Sequence, residues 1–128
     1  MQSDQLEFNV RHSSVNGATI SNDVAIIDLH GELSAPAGEA LDRAFAQARQ
    51  QNASIISLDF GGVSYINSTG IALIARLLAQ ARLSGLRLLA FGLSAHYVEI
   101  FQITRLAEFI EVHSDEASAL ASAITVPI

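Results

Sequence analysis

The succession ASIISLDF, GGVSYINSTGIALIARLLAQARL and, after Ser84-Gly85, LRLLAF (residues 53–91) constrains the fold of this chain more than any other feature. Two short aliphatic, β-branched runs are separated by a longer stretch whose apolar residues recur at helical spacing. Ile71, Ile74, Leu78 and Ala81 share one face of that stretch, and Leu73 and Leu77 widen it. The alanines at 72, 75 and 79 permit close approach to a neighbour, and only Arg76, Gln80 and Arg82 interrupt the apolar surface. The helix, expected over Thr69 to Leu83, is therefore expected to be largely enclosed or to contribute to a contact surface. Strand, four-turn helix and strand make a βαβ crossover, so the two strands lie parallel and the connection is right-handed.

The remaining segments extend this unit. LEFNVRHSSVNGATI reads as a strand from about Leu6 to His12, the turn signal Asn16-Gly17, and a second strand near Ala18 to Ser21. Val24 to Leu29 is a compact strand ended by Gly31. SAPAGEALDRAFAQARQQ reads as an amphipathic helix, with Ser34 as cap, Pro36 in the first turn and Leu41, Phe45 and Ala48 on the apolar face. Beyond LRLLAF come a short helix after the cap Ser94, a final edge strand in EFIEV, and a terminal helix in SDEASALASAI with Ser114 as cap and Ala117 in the partner position. GGVSYINSTG reads as turn-rich. The result is an α/β class: a mixed sheet of four to five strands with helices mainly on one side, in a single domain spanning 1–128.

Charge and composition narrow the function. A formal net charge of −6 argues against nucleic acid or an anionic membrane surface as the main partner. There is no Cys, so neither disulfides nor thiolate chemistry are available. No apolar run reaches membrane-spanning length and the N-terminus lacks the pattern of a signal peptide, so a cytoplasmic protein without direct membrane insertion is the expectation.

Catalytic chemistry finds little support. His12, His30, His96 and His113 are scattered, with no metal-ligand spacing. Gly61-Gly62 matches neither phosphate-cradling motif. Ser94 and His96 share one short segment with no orienting third group, and Asp28, Glu32 and Asp59 sit where strand-end carboxylates commonly face solvent. No enzyme and no cofactor are expected. INSTG is more unusual. Ser68 stands where a loop meets the long helix, and it serves either as the helix cap or as an acceptor whose phosphate would meet free backbone donors and the positive helix end. Gly70 permits close backbone approach or is an ordinary first-turn glycine.

VAIIDLHGELSAPAGEALDRAF and IISLDFGGVSYINSTGIALIARLLAQARLSGLRLLAFGLSAHYVEIFQITRLAEFIEV, with the terminal helix, resemble the STAS domain. That fold occurs in anti-sigma factor antagonists, stressosome subunits and the cytoplasmic tails of sulfate transporters. The resemblance runs from about residue 6 to residue 122. Its most specific piece is DFGGVSYINSTGIALI, reinforced by Gly31-Glu32-Leu33 after a strand and by the glycines flanking LRLLAF. It implies a non-catalytic regulator. In the antagonist branch the unphosphorylated domain binds a serine protein kinase that is also the anti-sigma factor, and phosphorylation of a serine at the start of the second long helix breaks the complex. Ser68 matches that serine and Thr69 the second hydroxyl of the signature. Asn67 stands where antagonists typically carry Asp, and Ser34 where many carry Asp after Gly-Glu-Leu, so two acidic groups are missing beside the acceptor. The resemblance centres the partner surface on Ser34, Tyr65, Asn67, Ser68 and Thr69, with Arg76 and Arg82 included if they flank the same edge. A constitutive, non-phosphorylated scaffold, assembling as a homo-oligomer, with another STAS protein or in a signalling or membrane-associated complex, is the alternative, and a small-molecule or lipid site would require a cavity along the apolar helix.

Overall fold

The computed structural model describes residues 5–17 and 21–124. β1 (Glu7–Asn16) and β2 (Ser21–Leu33) pair antiparallel, with Phe8 opposite Leu29 and Val10 opposite Ile27. β3 (Ile55–Ile66), β4 (Arg87–Phe91) and β5 (Glu111–His113) follow in parallel, giving a mixed five-stranded sheet of order β1-β2-β3-β4-β5. Most of the strand expected near Ala18 to Ser21 lies outside the described residues, and β2 begins at Ser21.

Two strands run further than the sequence suggests. Gly31, read as a terminus, adopts φ 109°, and β2 continues past register shifts at Asp28/His30 and Gly31/Glu32 to Leu33. GGVSYI, read as turn, is the second half of β3, where Gly62 pairs with His30 and Tyr65 with Glu32. Glycine inside a strand marks a bulge or a close approach as often as a break. At Gly62 it is close approach: a Cβ there would lie 2.1 Å from Nδ1 of His30 and 2.7 Å from the Leu29 carbonyl oxygen.

A 3-10 turn, Ala35–Ala37, leads into α1 (Gly38–Arg49). The long helix α2 spans Ser68–Leu83, and α3 spans Ala95–Ile103 behind the expected cap Ser94, whose Oγ accepts from the Tyr97 N–H. A second 3-10 turn, Leu106–Glu108, occupies the start of the expected edge strand and displaces β5 to Glu111. α4 (Glu116–Ser122) is capped by Asp115 rather than Ser114: the carboxylate accepts from the Ser118 N–H at 2.8 Å and adds a favourable charge at the helix N-terminus.

Side-chain alternation divides the sheet into two faces. Ala25, Ile27 and Leu29 of β2, Ile56, Leu58 and Phe60 of β3, and Leu88 and Ala90 of β4 form the main core with α1, α2 and α3. The intervening Val24, Ile26, Ile55, Leu89 and Phe91 face the other way, beneath Ala119 of α4 and its C-cap Ala123. Polar links hold α4 there. Arg11 of β1 donates to Asp28 at 2.6 and 2.9 Å and to Glu116 at 2.7 Å, Asn22 donates to the Ala123 carbonyl, and Arg87 donates to Glu111 and to the Ser122 carbonyl.

Asp28 and Asp59 are neighbours on this second face, paired in the β2–β3 register. The Arg11 guanidinium holds Asp28 below the usual carboxylate range, whereas burial and the Asp28 carboxylate push Asp59 above it. A carboxylate held low stabilises the fold above its ordinary range and loses that contribution on acidification; one pushed high does the reverse. Asp59→Asn keeps an acceptor for the Gly61 N–H, which lies 2.8 Å from Asp59 Oδ1, while removing the penalised charge. It is expected to raise the melting temperature at pH 7, with the gain fading as pH falls through the carboxylate range. Arg11→Gln should cost roughly 1 kcal/mol at neutral pH, a loss that shrinks in acid as Asp28 protonates. Thermal melts of both variants between pH 3 and 7 check the two opposite signs.

Candidate functional site

The chain enters α2 through Asn67, which is extended (φ −98°, ψ −176°). Its Oδ1 accepts from the Gly70 N–H at 2.9 Å, its carbonyl accepts from the Ile71 N–H at 3.0 Å, and its own N–H donates to the Leu33 carbonyl at 3.1 Å. Asn67 is therefore the cap, and the expectation that Ser68 fills this role is corrected. An asparagine side chain reaches the third helical N–H as readily as a serine does, so the residue one position earlier takes the place. Ser68 becomes the first helical residue, exposed and free of capping duty, with exposed Thr69 beside it.

This placement has an electrostatic consequence. The first N–H groups of a helix have no acceptor within it, and no acidic residue lies in the first turn of α2. The partial positive charge of the helix end is thus not offset locally, and a dianion attached to Ser68 would sit beside those donors.

Gly70 is buried, and its role is close approach. A Cβ at this position would lie 2.1 Å from the Leu33 carbonyl oxygen and 3.1 Å from Ile66 Cγ2, so glycine lets the first turn of α2 rest on the end of β2. Tyr97 of α3 adds a tie: its hydroxyl oxygen accepts from the Ile66 N–H at 2.9 Å, just before the cap. Sequence reasoning missed this tyrosine, since no local spacing signals a bond between residues so far apart in the chain.

Ser34 follows Leu33, whose carbonyl receives the Asn67 N–H, and so lies beside the α2 entrance. It is half-buried, its side chain makes no capping bond, and its carbonyl accepts from the Ala37 N–H. Tyr65, 49% exposed, sits on the last turn of strand before the cap. Ser34, Tyr65, Asn67, Ser68 and Thr69 are thus gathered at the ends of β2 and β3. Arg76 stands about 12 Å further along α2, paired with Asp42 of α1 at 2.9 Å. Arg82 does not join them: it is about 20 Å from Ser68, with its guanidinium 5.2 Å from the Phe109 ring centre.

The other sequence candidates stay apart. Ser94 caps α3 and His96 packs edge-on against Tyr97, with ring centres 4.9 Å apart. Among the described residues no group of three or more His, Cys, Asp or Glu is placed to hold a metal ion, and no helix is long and apolar enough to cross a membrane.

Over 86 residues the chain is 28% identical to the anti-sigma-B factor antagonist of Listeria monocytogenes, covering 67% of this chain and 75% of that protein. Among solved structures, an anti-sigma factor antagonist from Mycobacterium paratuberculosis superposes with a TM-score of 0.67 at 17% identity, covering 94% and 95% of the two chains. The anti-sigma factor antagonist SpoIIAA in its unphosphorylated form gives 0.65 at 19% identity, covering 94% of this chain and 100% of that one. The phosphorylated form of the Bacillus cell fate determinant SpoIIAA gives 0.59 at 20% identity, covering 88% and 96%. These structural likenesses establish the shared fold. The STAS domain model matches residues 17–119, most of the chain, and this protein belongs to the STAS domain family.

Proposed function

We propose that this protein is an anti-sigma factor antagonist-like regulator that binds a partner serine protein kinase acting as the anti-sigma factor, and that phosphorylation of Ser68 switches this binding off. The observation that carries the reading is the exposed Ser68 hydroxyl at the first position of α2, relieved of capping by Asn67 and with no carboxylate in its turn. The similarity to anti-sigma factor antagonists, one of them solved in unphosphorylated and phosphorylated forms, supports it. Ser34, Tyr65, Asn67 and Thr69 form the surrounding contact surface, with Arg76 at its flank. The protein acts as the kinase's substrate and contributes no catalytic group. A phosphate would leave the fold intact, since Ser68 points to solvent, and would add nearly two negative charges at the centre of the docked surface. Asn67 and Ser34 stand where many antagonists carry Asp, so a phosphate on Ser68 adds its charge without those two carboxylates beside it.

The test is binding of wild type, Ser68→Ala and Ser68→Asp to the cognate kinase, with intact mass measured after incubation with kinase and ATP. Ser68→Ala is expected to bind like wild type, and Ser68→Asp at least about ten-fold more weakly. Equal affinity for all three sinks the switch, and a mass that never gains a phosphate points to a constitutive scaffold instead.

A further inference from the structure

Beyond its first turn, the outward strip of α2 carries little charge: Ala72, Ala75 and Ala79 are all exposed. The alanines, which by sequence permit close approach of a neighbour, remain open to solvent. Apolar grooves flank this strip. On the α1 side lie Phe45, Ala46 and Leu83; on the other side, Leu78, Leu106 and Phe109. Leu83 is 90% exposed and Phe109 53%, so large apolar side chains meet water on both sides of one helix end.

Cations frame that apolar floor. The Arg49 guanidinium lies 6.0 Å from the Phe45 ring centre and that of Arg82 lies 5.2 Å from Phe109. Among the described residues neither has a carboxylate within ion-pairing distance, because those nearby are already engaged: Asp42 with Arg76, Glu108 with Arg105, and Glu111 with Arg87. In a chain of net charge −6, the neighbouring ends of α1 and α2 present, among the described residues, two arginines outside any ion pair.

We propose that this surface docks an acidic amphipathic helix of a partner protein. The apolar residues of that helix lie along Ala72, Ala75 and Ala79 and enter the flanking grooves, and its carboxylates pair with Arg49 and Arg82. The alanines allow close approach of the two helix axes, and aromatic-backed guanidiniums are pre-positioned to accept carboxylates. A second copy docking through the same face fits poorly, since the carboxylates nearest Arg49 and Arg82 (Asp42, Glu108 and Glu111) are already paired within each copy. The surface lies about 20 Å from Ser68 and does not rest on the phosphorylation reading.

The test uses a fluorescein-labelled helical peptide with Leu at i, i+3, i+4 and i+7 and Glu on its other positions, against the same peptide with Lys in place of Glu. The full chain is expected to bind the Glu peptide at least about ten-fold more tightly, and Arg49→Glu/Arg82→Glu should lose about ten-fold. Phe109→Ala should weaken binding while far-UV circular dichroism remains that of wild type, and Ser68→Asp should change the affinity by less than about two-fold. Equal affinity for the two peptides, or undiminished affinity in the double variant, overturns the proposal. Sedimentation equilibrium showing a dimer that Ala79→Glu dissociates also overturns it, by assigning the surface to a second copy.

Discussion

Phe101→Ala is expected to destabilise the protein by about 3–5 kcal/mol, the usual range for emptying a buried aromatic position. Phe101 is fully buried and is the one buried residue of α3. It meets Phe60 of β3 edge-on, with ring centres 5.8 Å apart at 85°, an arrangement worth about 0.5–1.5 kcal/mol beyond the area it covers. Removing it therefore costs the transfer energy of the ring, the aromatic contact and a cavity that a nine-residue helix is poorly placed to fill. Ile103→Ala on the same helix is the contrast: Ile103 is 68% exposed, so its loss should stay within about 0.5 kcal/mol. Urea denaturation of both variants reads the difference.

The consequence of Phe101→Ala extends to the functional end of the sheet. Phe101 anchors the helix that carries Tyr97, and the Tyr97 hydroxyl accepts from the Ile66 N–H immediately before Asn67. Hydrogen exchange at Ile66 should accelerate by more than the global loss of stability accounts for. Exchange that tracks global unfolding alone would show that α3 and the α2 entrance are not coupled.

What the sequence revealed, and what it concealed, follows from the range of the interactions involved. Periodic burial over residues 53–91 identified β3, α2 and β4 and their parallel pairing, because helical and strand periods reflect which side chains leave water. Ser94 was legible as a cap because its bond spans three residues. Glycine was misread at Gly31 and over GGVSYI, since the letter alone does not distinguish a chain break from a bulge or a tight strand contact. Ser114 as cap, and Ser68 as cap or acceptor, are the readings the sequence allows, yet both caps belong to the adjacent Asp115 and Asn67: hydroxyl, amide and carboxylate compete for one N–H, and the choice depends on where the extended chain turns helical. Tyr97 and the Arg11–Asp28–Glu116 network were invisible because their partners meet only in three dimensions.

Gly70→Ala is the second large effect, and two opposing contributions decide its sign. Alanine in a helix is favoured over glycine by about 1 kcal/mol, which on an open helix would stabilise the variant. Here the new Cβ would sit 2.1 Å from the Leu33 carbonyl oxygen and 2.7 Å from its carbon, where ordinary contact begins at 3.4 Å. The obstacle is backbone, not a side chain able to swing away, so the first turn of α2 must retreat from β2 by about 1 Å. That movement strains the Asn67 N–H bond to the same carbonyl, 3.1 Å long in the native fold. Overpacking of about 1–3 kcal/mol and a weakened hydrogen bond of about 1 kcal/mol together outweigh the helix propensity, so a net loss near 2 kcal/mol is expected. Gly85→Ala separates steric from conformational cost, because Gly85 adopts φ 70° with nothing within 4 Å of its Cβ position. It should lose about 1–2 kcal/mol by backbone strain while leaving the amide resonances of Leu33 and Asn67 in place, whereas Gly70→Ala should shift both. In the proposed switch, Gly70→Ala should also weaken kinase binding with the Ser68 hydroxyl still present, because the surface around it is carried by the displaced turn. A Gly70→Ala protein with wild-type stability and unmoved Leu33 and Asn67 signals would mean that the contact between α2 and β2 does not set the position of Ser68.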